Sequence, residues 1–587
     1  MQQLKESVNL TIDNRPVTVP AGTTIMEAAE TIGVHIPRLC YHPDLSLAGA
    51  CRVCIVEVTG VNFYMASCSV PVWEGMDVCT NSPDIRRARR DIVELLLDNH
   101  PMDCQTCERD GHCELQNLAY LMGVRSRHFE GERKRHPVEN SSASVVRDSE
   151  KCVLCGRCVR VCEEVQGVTN LSQQYRGFQT VVTPAHGADM DDSVCIQCGQ
   201  CINACPTAAF VEKHETDVVW DALADPRQHV LVQTAPSIRA TICEGFGLPP
   251  GTPETGRLVT ALRRLGFDAV FNTNFGADLT IVEEANEFLE RLENGPLPMI
   301  TSCSPGWVNF LEKFYPALIP NASSCRSPMT MLSVLMKTYY AEMNDIAPEK
   351  ITTVAVMPCV AKKYEIKRPE HRMNNGIPYT DAVLTTRELI WMIQSYGIDY
   401  TALAENEFDL PLGLSSGAGD IFGTTGGVME ATLRTAAEWV TEKDASRLDF
   451  QEVRAVEGLR ELTVEIDGRN LNVAVANGLA NAKDVLDRIV NAEKQFHVVE
   501  VMACPGGCIG GGGQPYPQAG EKVLDPELLR MRRQALYKID SHNQVRRSHE
   551  NPAIKELYDT FLDKPGSAKA HDLLHTTYAP KLPRGIR

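Results

Sequence analysis

A chain of 587 residues exceeds what one hydrophobic core can hold and implies about three to five domains. Its 43% hydrophobic and 23% charged residues are those of an ordinary globular protein, and a net charge of −18 excludes the basic face that a nucleic-acid partner would need. No apolar run reaches membrane-spanning length, and the start MQQLKESVNLTID carries no secretory or twin-arginine signal, so a cytoplasmic protein is expected.

The 22 cysteines fall in tight groups. A reducing cytosol opposes a disulfide framework, and tight grouping is how metal ligands are arranged, so metal is the expected reason for them. The first element, VNLTIDNRPVTV (8–19), reads as two short strands around an Asp-Asn turn, and AGTTIMEAAETIGV as a helix. Cys40, Cys51, Cys54 and Cys68 follow, the last on the strand-like VNFYMASCSV. Their C-x10-C-x2-C…C spacing is close to, though not identical with, that of a plant-type two-iron ferredoxin. A four-cysteine zinc site is the alternative, and the groups downstream favour iron.

DIRRARRDIVELLLDN (84–99) reads as an amphipathic helix ending at His100, with Cys104, Cys107 and Cys113 beyond it. Alone, H-x3-C-x2-C-x5-C also suits structural zinc. Residues 113–148, polar and basic with GERKRH, read as connecting structure. KCVLCGRCVRVCEE then supplies Cys152, Cys155, Cys158 and Cys162, and VCIQCGQCINACPTAA supplies Cys195, Cys198, Cys201 and Cys205, with Pro206 after it. This is the bacterial ferredoxin run written twice, in which three cysteines hold one [4Fe–4S] cluster and the fourth reaches over to the other. Cys152, Cys155 and Cys158 therefore pair with Cys205, and Cys195, Cys198 and Cys201 with Cys162. A low-periodicity stretch at 213–228 ends this part.

Beyond it, HVLVQTA, ITTVAVM, DAVLTT and FHVVEVMA alternate with helical segments, the signature of buried parallel strands in an α/β domain. No GxGxxG follows a strand and no P-loop is present. The Gly-rich GAGDIFGTTGGVMEA (417–431) leads into a helix and fits neither, so any nucleotide work belongs to another chain. Three cysteine motifs remain: TSCSPGW (301–307), MPCVAKKYE (357–365) and VMACPGGCIGGGGQP (501–515). Two directly follow strand-like runs, where α/β domains build their sites. Glycines at 506–507 and 510–513 let backbone approach something bulky, which three inert thiols would not require.

In these motifs and their order the chain resembles the [FeFe] hydrogenases over essentially its whole length, and within them the long form found as the catalytic subunit of NADP-reducing, electron-bifurcating complexes. The resemblance implies a multidomain α+β and α/β chain. A β-grasp, plant-ferredoxin-like [2Fe–2S] domain (1–83) precedes a small [4Fe–4S] domain with one histidine and three cysteine ligands (84–130). A bacterial-ferredoxin-like 2[4Fe–4S] domain (131–225) and a large two-lobed α/β H-cluster domain (226–587) follow. The implied cofactors are one [2Fe–2S], three [4Fe–4S] and the H-cluster. The last is a [4Fe–4S] cubane joined by a cysteine thiolate to a diiron unit with CO, cyanide and a bridging azadithiolate.

By the same resemblance Cys508 matches the bridging thiolate, and Cys359 and Cys504 match cubane ligands. Met357 and Met502 would pack around the diiron unit, Lys362 would pair with one cyanide, and Ser237, in APSIRA, would donate to the other. The implied reaction is heterolytic cleavage of H2, run in either direction. Protons would pass through Cys303, Glu284, Ser323, Glu287 and Arg291, and electrons to ferredoxin or to a flavin- and NAD(P)-binding subunit. Maturation proteins would build the diiron unit. Glu284 and Glu287, three apart on the helical IVEEANEFLERLEN, share a face, and by themselves would read as a solvated acidic stripe.

One position departs from the family. Most members carry two adjacent cysteines in the first motif, the second being the fourth cubane ligand, and here that place is Ser304. A hydroxyl is far less acidic than a thiol, and oxygen is a harder donor than sulfur. Three arrangements stay open: Ser304 ligates as an alkoxide, Cys303 turns in and leaves the relay to Cys325 or a water, or Cys325, in ASSCRSP, reaches the cubane. Adjacent residues point in different directions on an extended chain, which favours Ser304 as ligand and Cys303 as relay. A hydrogen sensor would carry an appended signalling domain, and none is visible after SHENPAIKELYDTFLDKPGSAKAHDLLH. An electron-transfer subunit of a larger dehydrogenase would lack the last three motifs, and an iron–sulfur assembly protein the two N-terminal cluster regions. Cys79 and Cys243 have no part in this scheme.

Overall fold

The computed structural model describes residues 7–126, 128–129, 131–441, 449–454, 458–466, 468–516 and 524–581. The hairpin expected at the start is β1 (Ser7–Ile12) and β2 (Arg15–Pro20), with Asp13 and Asn14 both at positive φ (48° and 63°). A two-residue turn between right-twisted strands requires that conformation, and Asp and Asn tolerate it. With β3 (Ile55–Val58), β4 (Met65–Ala66) and β5 (Met76–Cys79) they form one mixed sheet in the order β2-β1-β5-β3-β4. The helix Ile25–Thr31 starts in a capping box between Thr24 and Glu27 and buries Ile25, Met26, Ala28 and Ala29 in the core of this sheet. The strand expected through Cys68 stops at Ala66. There the Ser69 N–H turns back to the Ala66 carbonyl, and Cys68 sits in the turn.

The helix Pro83–Asn99 is capped by the Ser82 hydroxyl, which accepts from the Ile85 N–H, and it ends at His100. Residues 113–148 are more than connecting structure. They hold a helix, Glu114–Leu121, which buries Leu115 and Leu118, and β6 (Val145–Arg147). The boundary expected at residue 130 lies outside the described residues. β7 (Ser172–Gln174) pairs with β8 (Val181–Thr183), and β6 with β9 (Phe210–Glu212). The stretch 213–228 also contains a helix, Thr216–Ala224, which buries only Thr216 and Val219, too few positions for a period to show.

The second half holds β10 (His229–Thr234), β11 (Ala269–Asn272), β12 (Met299–Ile300), β13 (Ile351–Met357), β14 (Ala382–Thr385), β15 (Leu459–Ile466), β16 (Arg469–Asn477) and β17 (Val498–Met502). β11-β10-β13-β14 form an all-parallel sheet. β12-β17-β16-β15 form another, parallel except for the β15–β16 hairpin. Both are covered on two faces: Val230 and Val232 pack into one core and Leu231 into another, and Val473 and Val475 oppose Ala474 and Ala476. Each large side chain so buried contributes about 1.5–3 kcal/mol, which is why these strands read as continuous apolar runs. The long helix Thr273–Asn294 leaves β11 and runs under the helix Pro328–Lys337, where Gly276 lets the Pro328 carbonyl come within 2.2 Å of where a Cβ would be. Among the described residues no helix is long and apolar enough to cross a membrane.

The two halves meet through loops rather than strands. A Cβ on Gly199, which has φ +75°, would lie 2.2 Å from Val360 Cγ2, and one on Gly512 would lie 2.8 Å from the Cys198 carbonyl oxygen. Gly199→Ala is therefore expected to destabilise by about 1–3 kcal/mol. A urea titration would read this against Gly131→Ala, a site with nothing within 4 Å of the new methyl. Equal midpoints for the two variants would show that the junction is looser than described.

Candidate active site

The first cysteine group is close in space. The Cys40, Cys51, Cys54 and Cys68 thiols hydrogen-bond among themselves, and the Cys40 N–H points at Cys51 Sγ (3.4 Å) while the Cys51 N–H points back at Cys40 Sγ (3.5 Å). His100 closes the helix Pro83–Asn99, Cys104 and Cys107 bracket a tight turn, and Cys113 precedes the next helix. Burial, reinforced by the Lys151 charge, lowers His100 to about 4, so its imidazole is neutral and keeps a lone pair for a metal.

The two ferredoxin-type runs fold alike. In each, the residue before the second cysteine (Leu154, Gln197) and the glycine after it (Gly156, Gly199) have positive φ. This aims the N–H of Leu154 at Cys152 Sγ and that of Gln197 at Cys195 Sγ, both at 3.4 Å. Cys162 lines one small cavity with Cys195, Cys198 and Cys201. Burial raises Cys152, Cys155 and Cys158, and the Cys205 charge adds to the rise in each. Cys162 thus lies beside the second run and Cys205 near the first.

A cavity of about 70 Å³ opens where the C-terminal ends of both large sheets converge. β10 leads to Ser237, β12 to Cys303 and Ser304, β13 to Met357, Cys359 and Lys362, and β17 to Met502, Cys504 and Cys508. All nine line it. Site building at strand ends is general in α/β folds, and here all three cysteine motifs follow a strand, one more than the sequence suggested. No motif marks Phe422 and Met329, which share the wall and bring only apolar surface. Lys362 donates to Glu365 (2.6 Å) and to the Cys303 carbonyl (3.3 Å), a pairing legible from their three-residue spacing. Cys359 and Cys504 are hydrogen-bonded, which holds the Cys359 thiol below its ordinary value. The Ser237 hydroxyl is fully buried and has no hydrogen-bond partner among the described residues. Ser304 starts the helix Pro305–Phe314, and its Oγ accepts the Ala503 N–H (3.3 Å).

Behind Cys303 lies an acidic face of the helix Thr273–Asn294, and it is not solvated. Glu284 is completely buried, and among the described residues no donor is within bonding geometry of either carboxylate oxygen. Burial, and then the Glu287 charge, raise it to about 8. The nearby Ser323 hydroxyl and Ser302 N–H only partly offset this. The Ser323 Oγ donates to Glu287 (2.8 Å), and Arg291 donates to the other Glu287 oxygen (2.6 Å). Burial, then Glu284, hold the Cys303 thiol well above its ordinary value. Cys325 is absent from the cavity wall. Its thiol points to Glu287 (3.8 Å), in a group with His575. Cys79 is exposed, and Cys243 is buried with its thiol toward the Ala240 carbonyl (3.6 Å).

Cysteine-walled space at parallel strand ends, reached through ferredoxin-like loops, defines an iron–sulfur redox enzyme of the α/β class. Residues 228–512 match the iron only hydrogenase large subunit, C-terminal domain, and 526–581 the iron hydrogenase small subunit. Residues 5–83 match a 2Fe-2S iron-sulfur cluster binding domain, 89–128 the NADH-ubiquinone oxidoreductase-G iron-sulfur binding region, and 151–209 a 4Fe-4S dicluster domain. The NADP-reducing hydrogenase subunit HndD of Solidesulfovibrio fructosivorans is 47% identical, over 97% of this chain and 98% of that protein. Iron hydrogenase 1 of Clostridium pasteurianum is 41% identical, over 95% and 97%. An apo form of the [FeFe]-hydrogenase HydA1 from Chlamydomonas reinhardtii superposes with TM-score 0.56 at 43% identity, covering 62% of this chain and 98% of that one. The chain belongs to the iron-only, or [FeFe], hydrogenases, in the multi-cluster form.

Between pH 4.5 and about 8 the unfolded chain releases the Glu284 proton and the folded chain keeps it, so this group makes stability fall as pH rises. Glu284→Gln removes that slope. Urea midpoints should shift in favour of the variant across this window, and a gap independent of pH would show that Glu284 titrates normally.

Proposed function

We propose that this hydrogenase oxidises and evolves H2 at an H-cluster held in the cavity, and exchanges its electrons with NADP through a flavin-containing partner subunit. The observation that carries the site reading is the meeting, on one apolar wall, of nine residues drawn from four strand ends. The cavity's chemistry suits the group. Three cysteines offer thiolates, the buried Ser237 hydroxyl and the Lys362 ammonium offer donors to anionic ligands, and the methionines offer soft apolar surface. Gly507 lets this loop pack directly on the Thr424–Thr425 backbone, since a Cβ there would lie 2.6 Å from the Thr425 nitrogen.

Cys359 and Cys504 would hold the cubane and Cys508 the bridge to the diiron unit. Ser304 is the fourth ligand this reading favours, because it lines the wall and its oxygen already accepts an N–H that would stabilise negative charge. Cys325, turned toward Glu287, does not compete. When bound, the H-cluster supplies the centre at which H2 is split and an amine base beside it. The protein's own part is to exclude water and to move a proton. Cys303 Sγ holds it, Glu284 accepts it with a value near neutrality, and Ser323 Oγ hands it to Glu287, which Arg291 orients toward the surface.

The [2Fe–2S] region is taken as 1–83 with Cys40, Cys51, Cys54 and Cys68, the histidine-ligated [4Fe–4S] region as 84–130, the two-cluster region as 131–225 and the H-cluster region as 226–587. The Cys195, Cys198, Cys201 and Cys162 group lies next to Cys359 and Cys504 and is the natural first electron acceptor. NADP as terminal partner follows the relative named an NADP-reducing hydrogenase subunit, whereas a cytoplasmic location and dependence on maturation proteins are carried by the motifs alone.

H2/D2O exchange by the anaerobically matured chain tests the site without its electron partner. Fast exchange is expected, and none from a fully loaded enzyme would refute the reading. Cys303→Ala should slow exchange by about 10²–10⁴-fold while leaving the electron paramagnetic resonance signal of the cubane in place. Full turnover would put the relay elsewhere. Ser304→Cys should shift that cubane signal in enzyme lacking the diiron unit, whereas an unchanged signal would remove Ser304 from the ligand set. The chain alone should reduce viologen with H2, and NADP only once flavin- and nucleotide-binding subunits are added.

A further inference from the structure

The loop that carries Cys508 is mostly glycine between 506 and 513 and has almost no side chains with which to anchor itself. Glycine also has the most conformational freedom to lose, so such a loop holds one shape only if something outside fixes it. Its carbonyls are fixed one after another. Gln514 Nε2 donates to the Cys508 carbonyl (3.1 Å) and Arg532 to that of Ile509 (2.8 Å). Gln200 Nε2 donates to Gly510 (3.1 Å), Asn203 Nδ2 to Gly511 (3.2 Å) and Arg387 to Gly512 (2.6 Å). Arg532 is itself gripped by both oxygens of Glu244, and Arg387 by both of Glu212. Every carbonyl from 508 to 512 thus has a side-chain donor.

Two of these donors have a distinct origin. Gln200 and Asn203 sit on the short helix Gln200–Ala204, inside the run that contains Cys198, Cys201 and Cys205, and they are 1% and 5% exposed. The same two loops touch at Gly512 and Cys198, so they lie against each other with no room for a water layer. We infer that Gln200 and Asn203 are positioning residues for the hydrogenase reaction. They fix the Cys508 loop against the ferredoxin-type loop, so that the bridging thiolate and the nearest electron acceptor keep one relative placement. The inference rests on the proposed role of Cys508 as the bridge. Simple satisfaction of two buried amides would affect stability alone, whereas positioning also requires that the bound diiron unit senses their loss.

The test uses the matured, full-length enzyme carrying Gln200→Leu and Asn203→Leu, with Asn203→Gln as the variant that keeps an amide donor. Infrared spectra should show the CO and cyanide bands shifted and broadened in the double variant and restored toward wild type in Asn203→Gln. Amide hydrogen exchange at 509–513 should accelerate about tenfold or more, because freed buried carbonyls favour local opening, while exchange around 54–68 stays unchanged. If the double variant does not assemble, Asn203→Leu alone gives the same readings, with the [2Fe–2S] resonance signal reporting an intact fold. Unchanged bands and unchanged exchange in a folded variant would overturn the inference and leave the H-cluster reading standing. Wild type without CO and cyanide bands would overturn both.

Discussion

Charge on buried sulfur is the constraint around which this protein is built. Burial lifts Cys152, Cys155, Cys158, Cys195, Cys198 and Cys201 above the ordinary thiol range, and it does the same to Cys303 and Cys508. A thiolate in such surroundings costs far more than a single N–H can offset. The fold answers with repeated backbone N–H···S contacts. The left-handed residues Leu154 and Gln197, awkward anywhere else, exist to aim those N–H groups.

The same constraint separates the traffic of protons from that of electrons. The acidic residues proposed to relay protons lie on one helix, Thr273–Asn294, which leaves the cavity behind Cys303. The sulfur-rich loops approach from the other strand ends, against Cys359, Cys504 and the glycines after Cys508. Two sheets with parallel strands make this possible, since each presents several strand ends on one side and every end can carry a different kind of group.

Much of this could be read in the chain because sulfur ligands are close in sequence. C-x2-C-x2-C and the Asp-Asn hairpin are local geometry, and local geometry survives in a string of letters. Glu284 is the opposite case. Its neighbours in sequence suggest a solvated stripe, and only the packing of helices and loops around it turns a surface-looking glutamate into a fully buried acid with a value of about 8. The helices Glu114–Leu121 and Thr216–Ala224 leave no periodic signal because each buries only two side chains along its length. The donors on the Cys508 loop come from residues as far away as Gln200 and Arg532, and no spacing announces them. Ser304 was visible as a departure, yet its contact with the Ala503 N–H needed the fold.

The segment 526–581, which matches a family of separate small subunits, is here part of the same chain. It packs against the elements around the cavity at several points: Arg532 binds the Ile509 carbonyl, Ser548 and Asn551 bind Asp278, and His575 bonds Ser324. As a free polypeptide such a segment would bind in proportion to its own abundance and would come off on dilution. Joined covalently, it experiences an effective concentration set by the linker, typically in the millimolar range, whatever the amount of protein in the cell. Its contacts are therefore first order in the chain, and the carbonyl held by Arg532 cannot be lost by a shortage of partner.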